Sequence, residues 1–209
     1  MSKNLLLILT RNPELGKCKT RLAAKVGNKV ALDIYKFLLD HTVTFTKNLK
    51  VEKWVYYSEE IWEDDIWDNN VYQKKLQVGK DLGERMMNAF KEGFQAGFEN
   101  IIVIGSDMYH LKQSDLEAAF SKFKDHNYVV GPAEDGGYYL LGMKSLKTEL
   151  FQNKNWGTGT VLEDTLSDIK NEKVALMDEK NDVDYYEDIK DIKAFAPFLK
   201  HINNDTKTD

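Results

Sequence analysis

The chain has 209 residues, 42% apolar and 30% charged, a balance that suits a folded globular protein and excludes a disordered one. Its 34 acidic and 29 basic side chains give a net charge of -5, which excludes the broad basic face that non-specific nucleic-acid binding needs. At roughly 150 residues per domain, the simplest partition is one domain over 1–202 and a polar tail at 203–209.

The single cysteine, Cys18, excludes an internal disulfide and a Cys-rich zinc site, and it fits a reducing cytoplasm. The first apolar run, 5–9, is too short for a signal segment or a membrane span, and no later run is longer than it needs to be for a strand or helix. A cytoplasmic location without a membrane span is the expectation.

In chain order, residues 5–9 form a continuous apolar run, the pattern of a strand buried on both faces of a parallel sheet. A polar loop then leads into a helix. Residues 28–48 place Leu32, Tyr35, Leu38, Leu39 and Val43 at helical spacings. Strands follow at 51–58 and, mixed with Lys and Gln, at 71–78. Residues 84–98 set Met86, Met87, Phe90, Phe94 and Phe98 on one helix. The run 101–104 reads as a central strand that Gly105 ends. Ser114 and Glu117 form a capping box for a helix over 116–123. Strands at 128–130 and Tyr138–Met143, a helix at 161–169, a strand at 174–177 and a last helix at 186–195 complete the chain. Strands alternating with helices predict an α/β layered domain with a mainly parallel sheet. Ligands of such sheets sit beyond the carboxyl ends of the strands.

The loop after the first strand carries Arg11, Lys17, Lys19 and Arg21, with Pro13 and Gly16 shaping it. Cations beside a helix start suit a phosphate. The alternative is a solvated basic loop capped by Thr20, and the position after strand one favours phosphate. The spacing is not that of a Walker A loop. Farther on, Arg85 sits in the first turn of a helix, where the macrodipole disfavours a cation. It calls for a partner such as a phosphate or Asp81, or else makes a surface salt bridge.

Asp107 leaves the 101–104 strand through Gly105-Ser106, where it either points over the sheet edge or caps a turn. In Asn181-Asp182-Val183-Asp184 an extended backbone puts both carboxylates on one face, which suits Mg²⁺ or Mn²⁺. The same residues also suit an acidic turn with Asp184 as N-cap. Asp135-Gly136-Gly137 is good chemistry for a hairpin turn, and Asp135 there could bind a hydroxyl or act as a base. Trp156 either stacks on a ligand ring or belongs to the core.

Six segments occur in order: Pro13-x-x-Gly16-x-x-Lys19-Thr20-Arg21-Leu22; Gly79-x-Asp81-Leu82-Gly83-Glu84-Arg85-Met86; Gly105-Ser106-Asp107; Gly131-Pro132-Ala133-x-Asp135-Gly136-Gly137-Tyr138-x-Leu140-x-Gly142; Trp156-x-Thr158; Asp182-x-Asp184. Together they resemble the bacterial transferases of the selenodomain-associated or arsenosugar-biosynthesis type. These are similar to nucleotide-diphospho-sugar transferases and, more distantly, to 2-phospho-lactate guanylyltransferases. The resemblance runs from about residue 5 to about 192. It implies a three-layer α/β sandwich with a mainly parallel mixed sheet, of the nucleotide-diphospho-sugar transferase (GT-A) type. It also implies a divalent metal, Mg²⁺ or Mn²⁺, on Asp107, Asp182 and Asp184. Two positions depart from the pattern: Tyr109 stands where a proline is frequent, and Gly157 where a serine is.

The resemblance and the residues together give an expectation of a metal-dependent transferase with a nucleotide donor. Glycosyl transfer from a nucleotide sugar comes first. Nucleotidyl transfer from a nucleoside triphosphate to a phosphorylated acceptor comes second, and a non-catalytic nucleotide-binding module third. Asp107 and Asp135 are the candidate catalytic residues. Arg11, Lys19, Arg21 and Arg85 are the candidates for donor phosphates, and Gly136, Gly137, Trp156 and Thr158 for substrate. The expected partners are a nucleotide sugar or nucleoside triphosphate and a small-molecule acceptor, with no nucleic acid. Residues 131–142 contain no Lys or Arg but do contain Glu134 and Asp135, which tilts the choice toward glycosyl transfer.

Overall fold

Leu5, Leu6, Leu7 and Ile8 have no exposed surface, so alternate side chains of one strand fill two separate cores. The computed structural model describes residues 3–200 and 202. This strand, β1 (Asn4–Thr10), belongs to a seven-stranded sheet with β2 (Glu52–Tyr57), β3 (Gln73–Leu76), β4 (Asn100–Gly105), β5 (Tyr128–Pro132), β6 (Tyr138–Met143) and β7 (Val174–Leu176). Their spatial order is β3-β2-β1-β4-β6-β5-β7. β1 pairs in parallel with both β2 and β4, β2 with β3, and β5 with β7. β6 runs antiparallel to β4 and to β5, so the sheet is mixed but mainly parallel, as the sequence predicts.

The helices are α1 (Thr20–Val26), α2 (Asn28–Thr46), α3 (Leu82–Gln95), α4 (Gln113–Lys122) and α5 (Val161–Asp168). On one face of the sheet Leu6 and Ile8 pack with Tyr35 and Leu39 of α2 and Leu116 and Phe120 of α4. On the other, Leu5 and Leu7 pack with Met86, Ala89 and Phe90 of α3. The result is the three-layer α/β sandwich. Burying each such side chain favours folding by about 1.5–3 kcal/mol. A third cluster joins Leu22, Ile34 and Leu38 of α1 and α2 to Val183, Ile189, Phe195 and Leu199. It clamps the C-terminal segment against the start of α1 and so brings residues 182–184 to the end of β1.

Local details differ from the sequence reading. The helix expected at 116–123 starts earlier, and its first turn is closed by Asp115, whose carboxylate accepts from the Lys112 N–H at 3.0 Å. Ser114 therefore lies inside the helix, and Glu117 accepts instead from Gln113 at 2.8 Å. The strand expected at 71–78 shortens to β3. The helix expected at 186–195 resolves into two 3-10 turns, Tyr186–Asp188 and Lys193–Phe195. Its buried residues Ile189 and Phe195 are served by tight turns as well as by an α-helix. Asp184 is not an N-cap: Asp188 accepts from the N–H groups of Asp184 and Tyr185, which leaves the Asp184 carboxylate for other contacts. Among the described residues no helix is long and apolar enough to cross a membrane. The polar tail expected at 203–209 lies outside the described residues.

Candidate functional site

Parallel pairing of β1 with β4 sets Leu9 beside Gly105, so the chain leaves both strands at the same edge. A buried cluster of hydroxyls fixes these exits. The Tyr35 hydroxyl of α2 accepts from the Arg11 N–H at 2.9 Å and lies 3.3 Å from both Thr10 Oγ1 and Ser106 Oγ. Ser106 Oγ lies 3.0 Å from Thr10 Oγ1, and Thr42 donates to the Ser106 carbonyl at 3.0 Å. Arg11 and Asp107 are the next residues out. The buried Asn12 side chain ties the same loop to the end of β2, donating to the Glu60 carbonyl at 2.8 Å and accepting from the Glu59 N–H at 3.0 Å.

The four cations of this loop have different fates. Lys17 pairs with Glu14 in an exposed ion pair. Arg11 is exposed, and no side-chain partner of its guanidinium is found among the described residues. Arg21, half-exposed, donates to Asp184 Oδ2 at 2.9 Å and lies over the Tyr185 ring. Lys19 is turned inward. Its backbone is left-handed (φ 49°), a conformation unfavourable for a residue with a Cβ, and its side chain is only 5% exposed. Its ammonium donates to Asp107 Oδ2 at 2.7 Å and to Asp184 Oδ1 at 2.9 Å. Burial opposes the charged ammonium, but the charges and hydrogen bonds of Asp107 and Asp184 outweigh it and hold its pKa above the usual lysine value. Burial likewise opposes the charged Asp184, yet Lys19 and Arg21 hold its carboxyl below the usual range.

Val183 is buried in the third cluster, so its neighbours Asp182 and Asp184 face the sheet edge, as the period-two expectation has it. No hydrogen bond or ion pair holds the Asp182 carboxylate among the described residues. Burial first, then the charges of Asp184, Asp135 and Asp107, push it up to about 6, with Lys19 opposing.

Beside this cluster opens a cleft of about 230 Å³, with Asp107, Asp135 and Asp182 on its polar side and Leu82, Met86, Tyr138 and Trp156 among its apolar walls. Gly137 and Thr158 also line it, and among the described residues no Lys or Arg does. The Asp135–Gly137 loop is both the hairpin turn between β5 and β6 and a wall of the cleft. Asp135 Oδ1 accepts from the Gly137 N–H at 2.8 Å. Gly136 has φ +84°, and a Cβ there would lie 2.2 Å from the Gly159 carbonyl oxygen. The loop thus seats directly on the segment carrying Trp156 and Thr158. Thr158 bonds within its own turn, to the Asn155 carbonyl at 2.7 Å. Trp156 packs against Gly83, where a Cβ would lie 2.5 Å from Nε1, and is a cleft wall and a core residue at once.

The structure therefore brings together Asp107, Asp182, Asp184, Lys19 and Arg21, with Asp135, Gly137, Trp156 and Thr158 around the adjoining cleft. Arg85 is not drawn into this network. It donates to the Gly79 carbonyl at 3.1 Å and to Gln77 at 3.4 Å, closing its own loop. Sequence reading placed Tyr35 in an apolar helix stripe and passed over Asn12. The only sequence signal for either is a polar atom at a position that burial requires.

Among the described residues no three His, Cys, Asp or Glu side chains already gather as a metal cradle. The donor chemistry nevertheless fits a hard divalent cation. Mg²⁺ is commonly held by one or two carboxylates together with substrate phosphates and water. Asp107 and Asp184 already converge on one positive charge, and Asp182 stands beside them without a partner among the described residues.

A family model described as "Uncharacterized protein conserved in bacteria (DUF2064)" matches residues 41–158. No curated protein matches the chain. Among solved structures, a provisionally assigned nucleotide-diphospho-sugar transferase of Desulfovibrio desulfuricans G20 is similar at 26% identity and a TM-score of 0.85, over 98% of this chain and 96% of that one. A cytidylyltransferase of Leptospira borgpetersenii matches at 13% identity and a TM-score of 0.58, over 99% and 96%. A 4-diphosphocytidyl-2C-methyl-D-erythritol synthase of Anaerococcus prevotii matches at 10% and 0.58, over 95% and 97%. The last two likenesses speak for the fold alone.

Proposed function

The chain belongs to the bacterial family DUF2064, and from that footing we propose that it is a nucleotide-dependent transferase whose reaction is glycosyl transfer from a nucleotide sugar. The likeness to the Desulfovibrio protein supports the donor class, and the six-segment resemblance to selenodomain-associated transferases agrees with it. The observation that carries the choice of reaction is the cleft. Its polar side holds three carboxylates, its walls include Leu82, Met86, Tyr138 and Trp156, and no Lys or Arg lines it among the described residues. A phosphorylated acceptor would meet Asp135 and Asp182, which have no ion-pair partner among the described residues, whereas a sugar ring offers hydroxyls to Asp135 and an apolar face to Trp156.

In this reading Arg11, at the exit of β1, and Arg21, in the first turn of α1, hold the donor phosphates through charge-assisted hydrogen bonds. Asp107 and Asp184, with Asp182 beside them, would hold Mg²⁺ or Mn²⁺. When bound, that ion supplies positive charge to the departing diphosphate. Asp135 faces the cleft with Oδ2 unengaged among the described residues, and it accepts the proton of the acceptor hydroxyl. The acceptor oxygen bonds to the anomeric carbon. The bond from that carbon to the phosphate oxygen breaks, and its electron pair leaves with the nucleoside diphosphate. Apolar walls limit water, the competing acceptor.

The test is to incubate the protein with Mg²⁺, candidate acceptors and either nucleotide sugars or nucleoside triphosphates. Release of nucleoside diphosphate from a nucleotide sugar is the expected result. Pyrophosphate from a triphosphate, with no turnover of any nucleotide sugar, would replace it with nucleotidyl transfer.

A further inference from the structure

The sequence makes Lys19 a candidate phosphate ligand, yet its ammonium faces away from solvent and toward two carboxylates from distant parts of the chain. We propose that Lys19 is a resident counter-ion that keeps a divalent cation off the Asp107–Asp184 pair until donor phosphate draws it away, so that metal and nucleotide bind together while metal alone binds weakly. The proposal rests on the nucleotide-donor reading above.

Three observations carry it. First, the contacts of 2.7 and 2.9 Å put the Lys19 charge between the two carboxylates, where a divalent ion sharing them would also stand. An ammonium and a divalent ion repel, so one excludes the other. Second, Lys19 takes up this position through a left-handed backbone at the first residue before α1. Such strain persists where the surroundings over-determine it, and it is frequent in switch regions. Third, Arg11 in the preceding loop and Arg21 in the first turn of α1 are exposed on either side of Lys19 in the chain, so a donor they bind brings anionic oxygens next to Lys19. Those oxygens offer the ammonium a new partner as the metal takes the old ones. Asp182, which pairs with nothing among the described residues, adds negative charge that favours the dication over the monocation.

The experiment titrates Mn²⁺ into chelator-treated, full-length protein, reading free Mn²⁺ by electron paramagnetic resonance and the protein by thermal unfolding. Wild type is expected to bind Mn²⁺ weakly, and more tightly when methylenediphosphonate is present as a diphosphate probe. Lys19→Met is expected to bind Mn²⁺ without the probe about 10-fold more tightly or better, within the usual range of site-to-site coupling. Its thermal midpoint should rise with Mn²⁺ while that of wild type stays put. Lys19→Met/Asp184→Asn should lose the gain. Equal Mn²⁺ affinity in wild type and Lys19→Met overturns the proposal. If Lys19→Met does not fold, the wild-type arm decides: Mn²⁺ affinity unchanged by the diphosphate probe overturns it. Failure of the donor reading looks different, because nucleotides and nucleotide sugars would then leave the thermal midpoint unmoved whatever Mn²⁺ does.

Discussion

Gly136 and Gly159 touch through their backbones: a Cβ on Gly136 would lie 2.2 Å from the Gly159 carbonyl oxygen. This contact seats the β5–β6 turn on the Trp156–Thr158 segment and shapes the cleft between them. Gly136→Ala combines a left-handed backbone with a collision against immovable main chain. Gly97, at φ +90° with nothing within 4 Å, suffers the backbone cost alone. Gly97→Ala should therefore cost about 1 kcal/mol. Gly136→Ala should cost about 2–4 kcal/mol once overpacking is added. Urea unfolding of both variants measures the difference, and equal losses would mean the loops separate freely.

Arg21 separates ligand binding from stability. Its ion pair with Asp184 is half-exposed, and pairs of that kind contribute about 0–1 kcal/mol. Arg21→Ala should unfold at nearly the wild-type urea concentration. A charged hydrogen bond to a donor phosphate contributes roughly 1.5–3 kcal/mol, which is about 10- to 100-fold in affinity. A nucleotide titration of a folded Arg21→Ala protein that matches wild type would leave Arg21 a surface residue.

The sheet was legible because β1 and β4 are runs of apolar residues bounded by polar turns, and such runs in alternation with helical stripes leave few other folds. The convergence of Asp107 with Asp184 was legible only in outline. Strand ends and period two place both carboxylates at one edge, but the contact between them is Lys19, whose inward turn depends on a left-handed backbone that no local pattern announces. The helix read at 186–195 failed because the spacing of Ile189, Ile192 and Phe195 serves a 3-10 turn as well as an α-helix. Arg85 misled for another reason. Its helix-start position calls for a partner, and the Gly79 carbonyl, invisible in sequence, supplies it.

His41 of α2 gives the protein an acid-sensitive point. Its ring lies between Phe45, at 5.3 Å, and Tyr109, at 5.1 Å, and its Nε2 is buried without a partner among the described residues. Burial pulls its pKa below the usual histidine value, with the neighbouring His110 adding to the effect and the carbonyls of Tyr109 and Leu111 opposing it. In the unfolded chain the imidazole protonates near pH 6.5. Above that pH both states are neutral and the group is silent. As pH falls through 6.5 toward the folded value, the unfolded state takes up the proton first, and stability is lost. His41→Phe should lose less stability than wild type between pH 7.5 and 5. Parallel losses in urea midpoints would show that other groups govern acid unfolding.

Tyr35 and Tyr72 offer the same chemical change in two settings. Each is buried and each hydroxyl is hydrogen-bonded: Tyr72 to Thr46 Oγ1 at 2.8 Å, and Tyr35 to the Arg11 N–H and carbonyl at 2.9 and 3.1 Å, with Thr10 and Ser106 in reach. Removing the Tyr35 hydroxyl takes the partner from the Arg11 N–H, at about 1–3 kcal/mol, while removing that of Tyr72 costs one buried hydrogen bond, about 0.5–1.5 kcal/mol, because Thr46 still donates to the Thr42 carbonyl. For a chain of this size that lowers the melting temperature by about 2–4 °C per kcal/mol. The consequences for binding should differ. Tyr35 joins the exit of β1, which carries Arg11, to the exit of β4, which carries Asp107. Tyr35→Phe lets those two exits move relative to each other, so donor affinity should fall together with stability. Tyr72 bonds to Thr46 in the last turn of α2 and has no hydrogen bond to Thr10, Arg11 or Ser106 among the described residues, so Tyr72→Phe should lower stability and leave affinity where it was. The check is a nucleotide titration of both variants well below their melting temperatures. If the two lose affinity equally, the hydroxyl cluster under Arg11 and Asp107 is an ordinary piece of core.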